Sequence, residues 1–451
     1  MEPIGRIYGE VVGSDFKFAS RKYYSCKYVR TQNRHDDSII IGKVTEVRVK
    51  NHFLERPEII RYIDDTMDYE RDTIYSYSVL AIGAIRNGKL TRDRAYALPG
   101  MPVTTASANE LAQVYGIENT DIKVGYLRDA RECTVCLEVN KIFRPHMTVI
   151  GRTGSGKSYF VKGIIKKLQG VRYFVFSPSD EYNNVPENKD EKVCNEIVLP
   201  LLVENIRYYL GLNISEELIL QKIPFDDHIY STQEIIKEII AYYDKKQKGD
   251  HEQLKLNLGQ TEEKDVQIPQ YAQSLIQKFR SIRNLKFSKE ASKQTPIKNS
   301  TIFDMSACTQ LEQECIINYY LYRILQACKK TKASSRKKNI IFIEEAHNFV
   351  PSMKSTLCKT TIVNLAREGR KYDISLCFIT QRPRNFDQTA LSQSSNKVIF
   401  SLPHPDDIKH IMEDAVYYHT EMGNTIQRQR QGQCVIIGDA FESELETEIL
   451  F

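Results

Sequence analysis

The segment GRTGSGKS at residues 151–158 fits the spacing G-x-x-x-x-G-K-[ST] at every position. Gly151, Gly154 and Gly156 permit a tight turn whose backbone N–H groups point inward at an anion. Thr153 and Ser155 complete the turn, and Tyr159 stands just beyond it. A helix opening at Lys157 adds its positive N-terminal end to the same anion. Lys157 is placed to reach the β- and γ-phosphates of a nucleotide, and Ser158 to put a hydroxyl on Mg²⁺. These residues predict an ATP site with Mg²⁺ as the accompanying ion.

Three further segments could complete such a site. In IIFIEEAH (340–347) four apolar residues run into two carboxylates. Glu344 is expected to hold the Mg²⁺ shell and Glu345 to polarise the attacking water. SLCFITQRP (375–383) is a third apolar run ending in a polar residue. Gln381 would sit beside the phosphate loop and sense the γ-phosphate; the plainer alternative is a surface glutamine before Pro383. NLAREGRKY (364–372) carries Arg367 and Arg370, whose spacing puts them on one helix face. Lys157 already serves the chain's own site, so these arginines are candidates for a finger reaching a neighbour's γ-phosphate. A solvated basic face remains the other reading.

The elements that must position these residues follow from pattern. Residues 1–140 contain GRIYGEVVG, FKFAS, IIIGKVTEVRVK, SVLAIGAIR and TVCLEV, rich in Val, Ile, Tyr and Thr and punctuated by Gly, Asn and Asp. Short strands at such spacing predict a small barrel or sandwich. Near residue 145 the rhythm changes: MTVI, the Gly-rich turn, YFVKGIIKKLQ and then RYFVFS read as strand, turn, helix and strand of a parallel sheet. Residues 191–299 read as a helical, charged insertion, with NEIVLPLLVENIRYYLGL and STQEIIKEIIAYYDKK showing helical spacing. From 300 to 440 strands return, and 441–451 reads as a C-terminal tail.

Composition narrows the class. A chain of 451 residues with 41% hydrophobic residues is globular and long enough for more than one domain. No run of 18 apolar residues exists, so no membrane span is expected. The start MEPIGRIYGEVVG has neither a basic nor an apolar leader pattern, and ten cysteines are scattered without paired spacing. Both point to a cytoplasmic protein. The lone CxxC, Cys133 to Cys136, lies in an alternating strand pattern and reads as two free cysteines. A net charge of +5 permits nucleic-acid binding without arguing for it.

Taken together, HMTVIGRTGSGKS, IFIEEAH, LAREGRKY, TQRP and the run LSQSSNKVIFSLPHPDDI (391–408) resemble, in order, the HerA branch of the HerA–FtsK ATPases. IGRIYGEVVG and IIIGKVTEVRV resemble that family's small N-terminal barrel. The resemblance implies an α/β P-loop (RecA-like) ATPase core with a helical insertion, preceded by a small N-terminal β-barrel. It implies ATP-driven translocation or unwinding by a homohexamer around duplex DNA, with a nuclease or other effector docked on the barrel side, in DNA end processing or anti-phage defence. Two departures stand out. FSPSDEY places Ser177 where the family strand ends in Asp and Asp180 where a small residue belongs, while Glu181 and Tyr182 match. The C-terminal brace of longer members is expected to be short.

The same residues also fit a hexameric scaffold that assembles and activates an effector, with ATP or DNA only switching its state. A conjugation or secretion ATPase fits less well, for want of a membrane anchor. For DNA contacts, Lys354 and Lys359 in PSMKSTLCKT are candidates for the pore. KKTKASSRKK (329–338), with six basic residues in ten, reads rather as a solvated connector.

Overall fold

The computed structural model describes residues 2–12, 14–33, 35–51, 73–91, 96–117, 122–182, 184–185, 192–194, 197–201, 210–258, 268–289, 300–413, 420–441 and 445–451. The chain divides into two compact units, one formed by residues 1–142, 415–419 and 429–451, the other by 143–414 and 420–428.

The first unit opens with strands β1 (Gly5–Val12), β2 (Asp15–Ser20), β3 (Tyr28–Gln32), β4 (Ile39–Asn51), β5 (Thr73–Arg86), β6 (Lys89–Thr91) and β7 (Pro102–Thr105). They pair in the order β2-β1-β7-β3-β4-β5, and β5 pairs back onto β2, so six strands close a barrel with β6 appended. Closure leaves no unpaired edge among the six. Alternation drives it: Phe16 and Phe18 of β2 point inward while Asp15 and Lys17 point out. Phe18 stacks on Tyr77 with ring centroids 4.4 Å apart, and Ile7, Val29, Ile40, Val79 and Val103 pack around them. The helix Ala108–Tyr115 follows, capped by Ser107 and Glu110 in a reciprocal box.

Two hairpin arms complete this unit. β8 (Ile122–Leu127) and β9 (Ala130–Leu137) pair with each other, and β8 also pairs with β21 (Leu445–Ile449), which pairs with β20 (Gln433–Ile437). Two expectations change here. Residues 122–137 belong to this antiparallel sheet rather than to the barrel, and residues read as a tail include strand β21. Terminal position hid the strand pattern of LETEI. Cys133 and Cys136 are buried on β9 and free. Glu446, at 3% exposure, receives both Lys43 of β4 and Arg128 in ion pairs, which lock the barrel to the C-terminal hairpin.

The second unit carries a parallel sheet. Its strands are β10 (Met147–Ile150), β11 (Arg172–Ser177), β12 (Lys192–Cys194), β16 (Thr301–Asp304), β17 (Asn339–Ile343), β18 (Ile374–Thr380) and β19 (Asn396–Phe400), in the order β12-β16-β11-β17-β18-β10-β19. Nearly every residue of β10, β16, β17, β18 and β19 is buried, as expected for a sheet covered on both faces. Between β11 and β16 lie the helices Ile214–Lys222, Thr232–Leu258 and Gln270–Arg280. A small sheet joins them, formed by β13 (Val198–Pro200), β15 (Lys286–Ser288) and β14 (Ile229–Ser231). The expected helical reading of residues 195–212 therefore fails at 198–200, which form a strand; residues 202–209 lie outside the described residues. Three-residue strands are too short to show alternation. Among the described residues no helix is long and apolar enough to cross a membrane.

Removing one partner of a buried charge cluster leaves the other charge uncompensated. Glu446→Gln removes the carboxylate that Lys43 and Arg128 share, whereas Lys43→Met still leaves Glu446 its pairing with Arg128. Glu446→Gln should therefore destabilise the barrel unit by about 3 kcal/mol and lower its denaturation midpoint clearly more than Lys43→Met does. Equal midpoints for the two variants would show that the cluster is not the lock.

Candidate functional site

Strand β10 delivers the chain into the loop 151–156, and a helix, Lys157–Lys167, takes it away. Gly154 and Gly156 adopt φ of 74° and 116°, left-handed conformations that a side chain resists. Gly151 is needed for space: a Cβ there would lie 2.6 Å from Cβ of Phe400 and 2.8 Å from Oγ of Ser155. Ser155 is buried and donates to the carbonyl of Arg152 at 2.7 Å. Lys157, 9% exposed, donates to the carbonyls of Gly151 (2.8 Å) and Arg152 (3.1 Å), so its ammonium lies along the loop. Burial lowers its pKa, and Glu345, Glu344 and Glu181 oppose that. Ser158 is half-buried at the helix start, while Tyr159 is exposed.

The sheet order explains how distant residues converge. β18 lies between β10 and β17, with Ile150 beside Thr380 and Ile343 beside Phe378. The ends of these three strands therefore bring Gly151, Gln381 and Glu344 to one edge. Gln381 is hydrogen-bonded to Thr153 of the loop. Glu344 is 7% exposed, and burial pushes its carboxyl up to about 7 while a hydrogen bond from Tyr182 opposes the rise. Glu345 takes φ of 47°, and its Oε2 is buried without a hydrogen-bond partner. A non-glycine residue held in that conformation directly after a strand is strained backbone of the kind found at functional sites. His347 Nδ1 lies 3.4 Å from that oxygen and 3.0 Å from Oγ1 of Thr380. Burial first, then Arg382 and Lys157, lower His347 to about 4, so the ring is neutral at pH 7.

Tyr182 was legible only as part of a matching motif, and its place is more telling. β11 ends at Ser177, whose hydroxyl turns back to the Ser179 carbonyl at 2.7 Å instead of toward the site. The short 3-10 turn Asp180–Tyr182 then aims the fully buried Tyr182 hydroxyl at Glu344. Lys162 of the loop's helix lies 3.8 Å from Glu181 and over the Tyr182 ring at 5.4 Å. A phenol hydroxyl thus contacts the acidic strand end where the family pattern has a carboxylate one strand away.

The remaining expected residues lie apart from this cluster. Arg367 ends the helix Lys359–Glu368, and Arg370 lies in the 3-10 turn Gly369–Tyr372, so they do not share a regular helix face as their spacing implied. Both are exposed, and among the described residues neither makes an ion pair or side-chain hydrogen bond. Lys354 is exposed beside Met353, itself 93% exposed. Lys359, by contrast, is engaged: it donates to the Pro351 carbonyl at 2.5 Å and pairs with Asp387 at 3.1 Å. That removes Lys359 from the pore candidates. In the basic stretch 329–338, Arg336 is also not a free solvated cation. It donates to the carbonyls of Cys328 (2.9 Å), Thr331 (3.0 Å) and Lys371 (3.0 Å) and lies over the Tyr372 ring.

A family model described as the central domain of the helicase HerA matches residues 122–324. A probable helicase of Methanocaldococcus jannaschii is 24% identical over 97% of this chain and 88% of its own length. The DNA double-strand break repair helicase HerA of Sulfolobus acidocaldarius is 25% identical over 90% of this chain and 84% of its own. Residues 122–324 thus carry the HerA central-domain pattern, and over most of its length the chain is similar to HerA-type helicases. VirB4 of Thermoanaerobacter pseudethanolicus shares the fold, with a TM-score of 0.51 at 14% identity over 74% of this chain and 97% of that one. A P-loop strand, an intervening strand and an acidic strand lie side by side, the arrangement of a P-loop ATPase.

The crowding at Gly151 gives this site a sharp test. Gly151→Ala forces a methyl group against Phe400, an overpacking cost of about 1–3 kcal/mol concentrated at the loop. ATP affinity, read by titration with a fluorescent analogue, should fall about tenfold or more, and the thermal midpoint of the chain should fall by a few degrees. Unchanged affinity would mean that the loop binds in another conformation.

Proposed function

We propose that this chain is an ATP-driven translocase or helicase for duplex DNA, working as a homohexameric ring. The observation that carries the reading is a site complete on one side only. Lys157, Ser158, Glu344, Glu345 and Gln381 converge at one sheet edge, while Arg367 and Arg370 stand exposed and unpaired elsewhere on the same unit. In a ring, such arginines serve the neighbouring subunit's phosphate. The DNA substrate is argued from the S. acidocaldarius relative, a DNA double-strand break repair helicase. A nuclease or other effector on the barrel, in end processing or anti-phage defence, belongs to the same proposal. The ten free cysteines favour a cytoplasmic setting.

In this mechanism Gly151, Thr153, Gly154, Ser155, Gly156 and Lys157 hold the phosphates, with Tyr159 at the rim. The donor set of Ser158 hydroxyl and Glu344 carboxylate suits a hard cation, and those two residues would hold Mg²⁺. When bound, the ion neutralises charge on the phosphate oxygens. Glu345, whose Oε2 lacks a partner, is free to accept a hydrogen bond from the attacking water. Gln381, bonded to Thr153, reports occupancy of the loop to β18. Arg367 and Arg370 of the next subunit would stabilise charge developing on the γ-phosphate. Lys354 on its exposed loop remains the candidate for contact with the DNA backbone, a sequence-independent contact.

Lys157→Ala should abolish turnover and weaken nucleotide binding. Glu345→Gln should retain binding and slow turnover on the order of 10²–10⁴-fold, trapping the ATP-bound ring. A Glu345→Gln protein that turns over normally would reverse the roles given to the two glutamates.

The wider reading is tested by mass in solution together with DNA-stimulated turnover. Expected are six-subunit particles whose ATPase is raised by duplex DNA and which displace a strand directionally. A strictly monomeric chain in ATP and DNA would refute the ring. A hexamer inert toward DNA but active with an effector would favour the scaffold instead.

A further inference from the structure

His146 precedes the phosphate-loop strand β10 and is fully buried. Its two ring nitrogens are both used. The Leu376 amide donates to Nδ1 at 2.9 Å, which makes Nδ1 an acceptor. Nε2 therefore carries the hydrogen and donates to the Ala366 carbonyl at 2.7 Å. Ala366 immediately precedes Arg367, and Leu376 lies on β18, the strand that ends at Gln381. Burial lowers this imidazole to about 4, so the neutral form that makes both bonds persists at pH 7.

The other end of the arginine segment has its own anchor. Arg336 holds the Lys371 carbonyl, next to Arg370, at 3.0 Å, and Tyr372 lies between Lys329 (5.3 Å) and Arg336 (5.6 Å). Arg367 and Arg370 themselves project from this stretch with no partner among the described residues. Their placement is thus set through the backbone that bears them. His146, immediately before the phosphate-loop strand, is hydrogen-bonded directly into that backbone at Ala366.

The geometry points to His146 as a positioning residue for the arginines this subunit lends to its neighbour, tying their helix to the strand of its own nucleotide loop. The inference rests on the reading of Arg367 and Arg370 as acting across a subunit boundary. Hydrolysis gains little from an arginine displaced by an ångström, and such misplacement costs up to a hundredfold. A merely structural histidine would affect every function of the subunit alike. A positioning one affects the neighbour's turnover while sparing nucleotide binding in its own loop.

Mixed rings separate these cases. Acceptor subunits carry R367A and R370A with an intact phosphate site; donor subunits carry K157A with intact arginines. Neither turns over alone, and mixing them should restore ATP turnover at donor–acceptor boundaries. His146→Asn, added to the donor, keeps an amide oxygen near the Nδ1 position but is too short to reach Ala366. His146→Gln places an amide N–H near the Nε2 position.

The Asn donor should restore turnover on the order of ten- to a hundredfold less than the plain donor, and the Gln donor should recover most of the loss. In a chain with Lys157 retained, His146→Asn should leave nucleotide affinity within about twofold, a change below 0.5 kcal/mol. Asn and Gln donors that restore equally, or Asn subunits that fail to enter rings, would overturn the assignment of His146. A plain donor that restores nothing would overturn the trans-arginine reading, and this inference with it.

Discussion

A phosphate gripped by backbone N–H groups requires a chain that leaves a buried strand, reverses within a few residues and enters a helix. Space for that reversal is the constraint on which the rest of the parallel-sheet unit depends. Phe400 at the end of β19 closes one side so tightly that Gly151 tolerates no side chain, and Lys157 is drawn across the loop onto its carbonyls. Because the loop is fixed by β10, every other group that acts on the nucleotide must arrive at the same edge. The order β17-β18-β10 does this, since parallel strands end on the same side.

Concentrating acids at that edge has an electrostatic cost, and the neighbours share it. Glu344 is buried deeply enough to be raised to about 7, yet it sits near Lys157 and receives the Tyr182 hydroxyl. Glu345 lies against a neutral His347, and Lys157 and Arg382 oppose the rise that burial causes in its carboxyl. A serine at 177, its hydroxyl donating to the Ser179 carbonyl, adds no further carboxylate to the site. The substitution of Ser for the family's Asp is thus compatible with a site whose acidic strand end is served by a phenol.

Much of this was legible in the sequence, for physical reasons that differ from place to place. GRTGSGKS, EEAH and the Gln before Pro383 are short, and their chemistry demands particular residue types at strand ends, so pattern reading located them. The barrel was legible because short runs rich in Val, Ile, Tyr and Thr recur between turn residues, with Phe16 and Tyr77 each flanked by polar neighbours. What pattern could not supply was partnership. Lys359 looked like any exposed lysine until Asp387 and the Pro351 carbonyl were seen around it, and Arg336 looked solvated until Tyr372 and three carbonyls were found. His146 was passed over because a histidine before a strand carries no signal without its two distant partners. The short strands at 198–200, 229–231 and 286–288 and the terminal strand β21 lack the length that makes periodicity readable.

The buried triad of Lys43, Glu446 and Arg128 has a consequence for how the protein is made. Lys43 and Glu446 are separated by 403 positions in the chain. A ribosome therefore delivers the barrel's lysine long before its counter-charge exists, and the entire parallel-sheet unit is synthesised in between. Until β21 arrives, the edge of β8 away from β9 is unpaired and Lys43 lacks Glu446. The barrel unit is thus begun before the parallel-sheet unit and finished after it, and in between it presents an open sheet edge, a window in which edge-to-edge pairing with another copy competes with native closure.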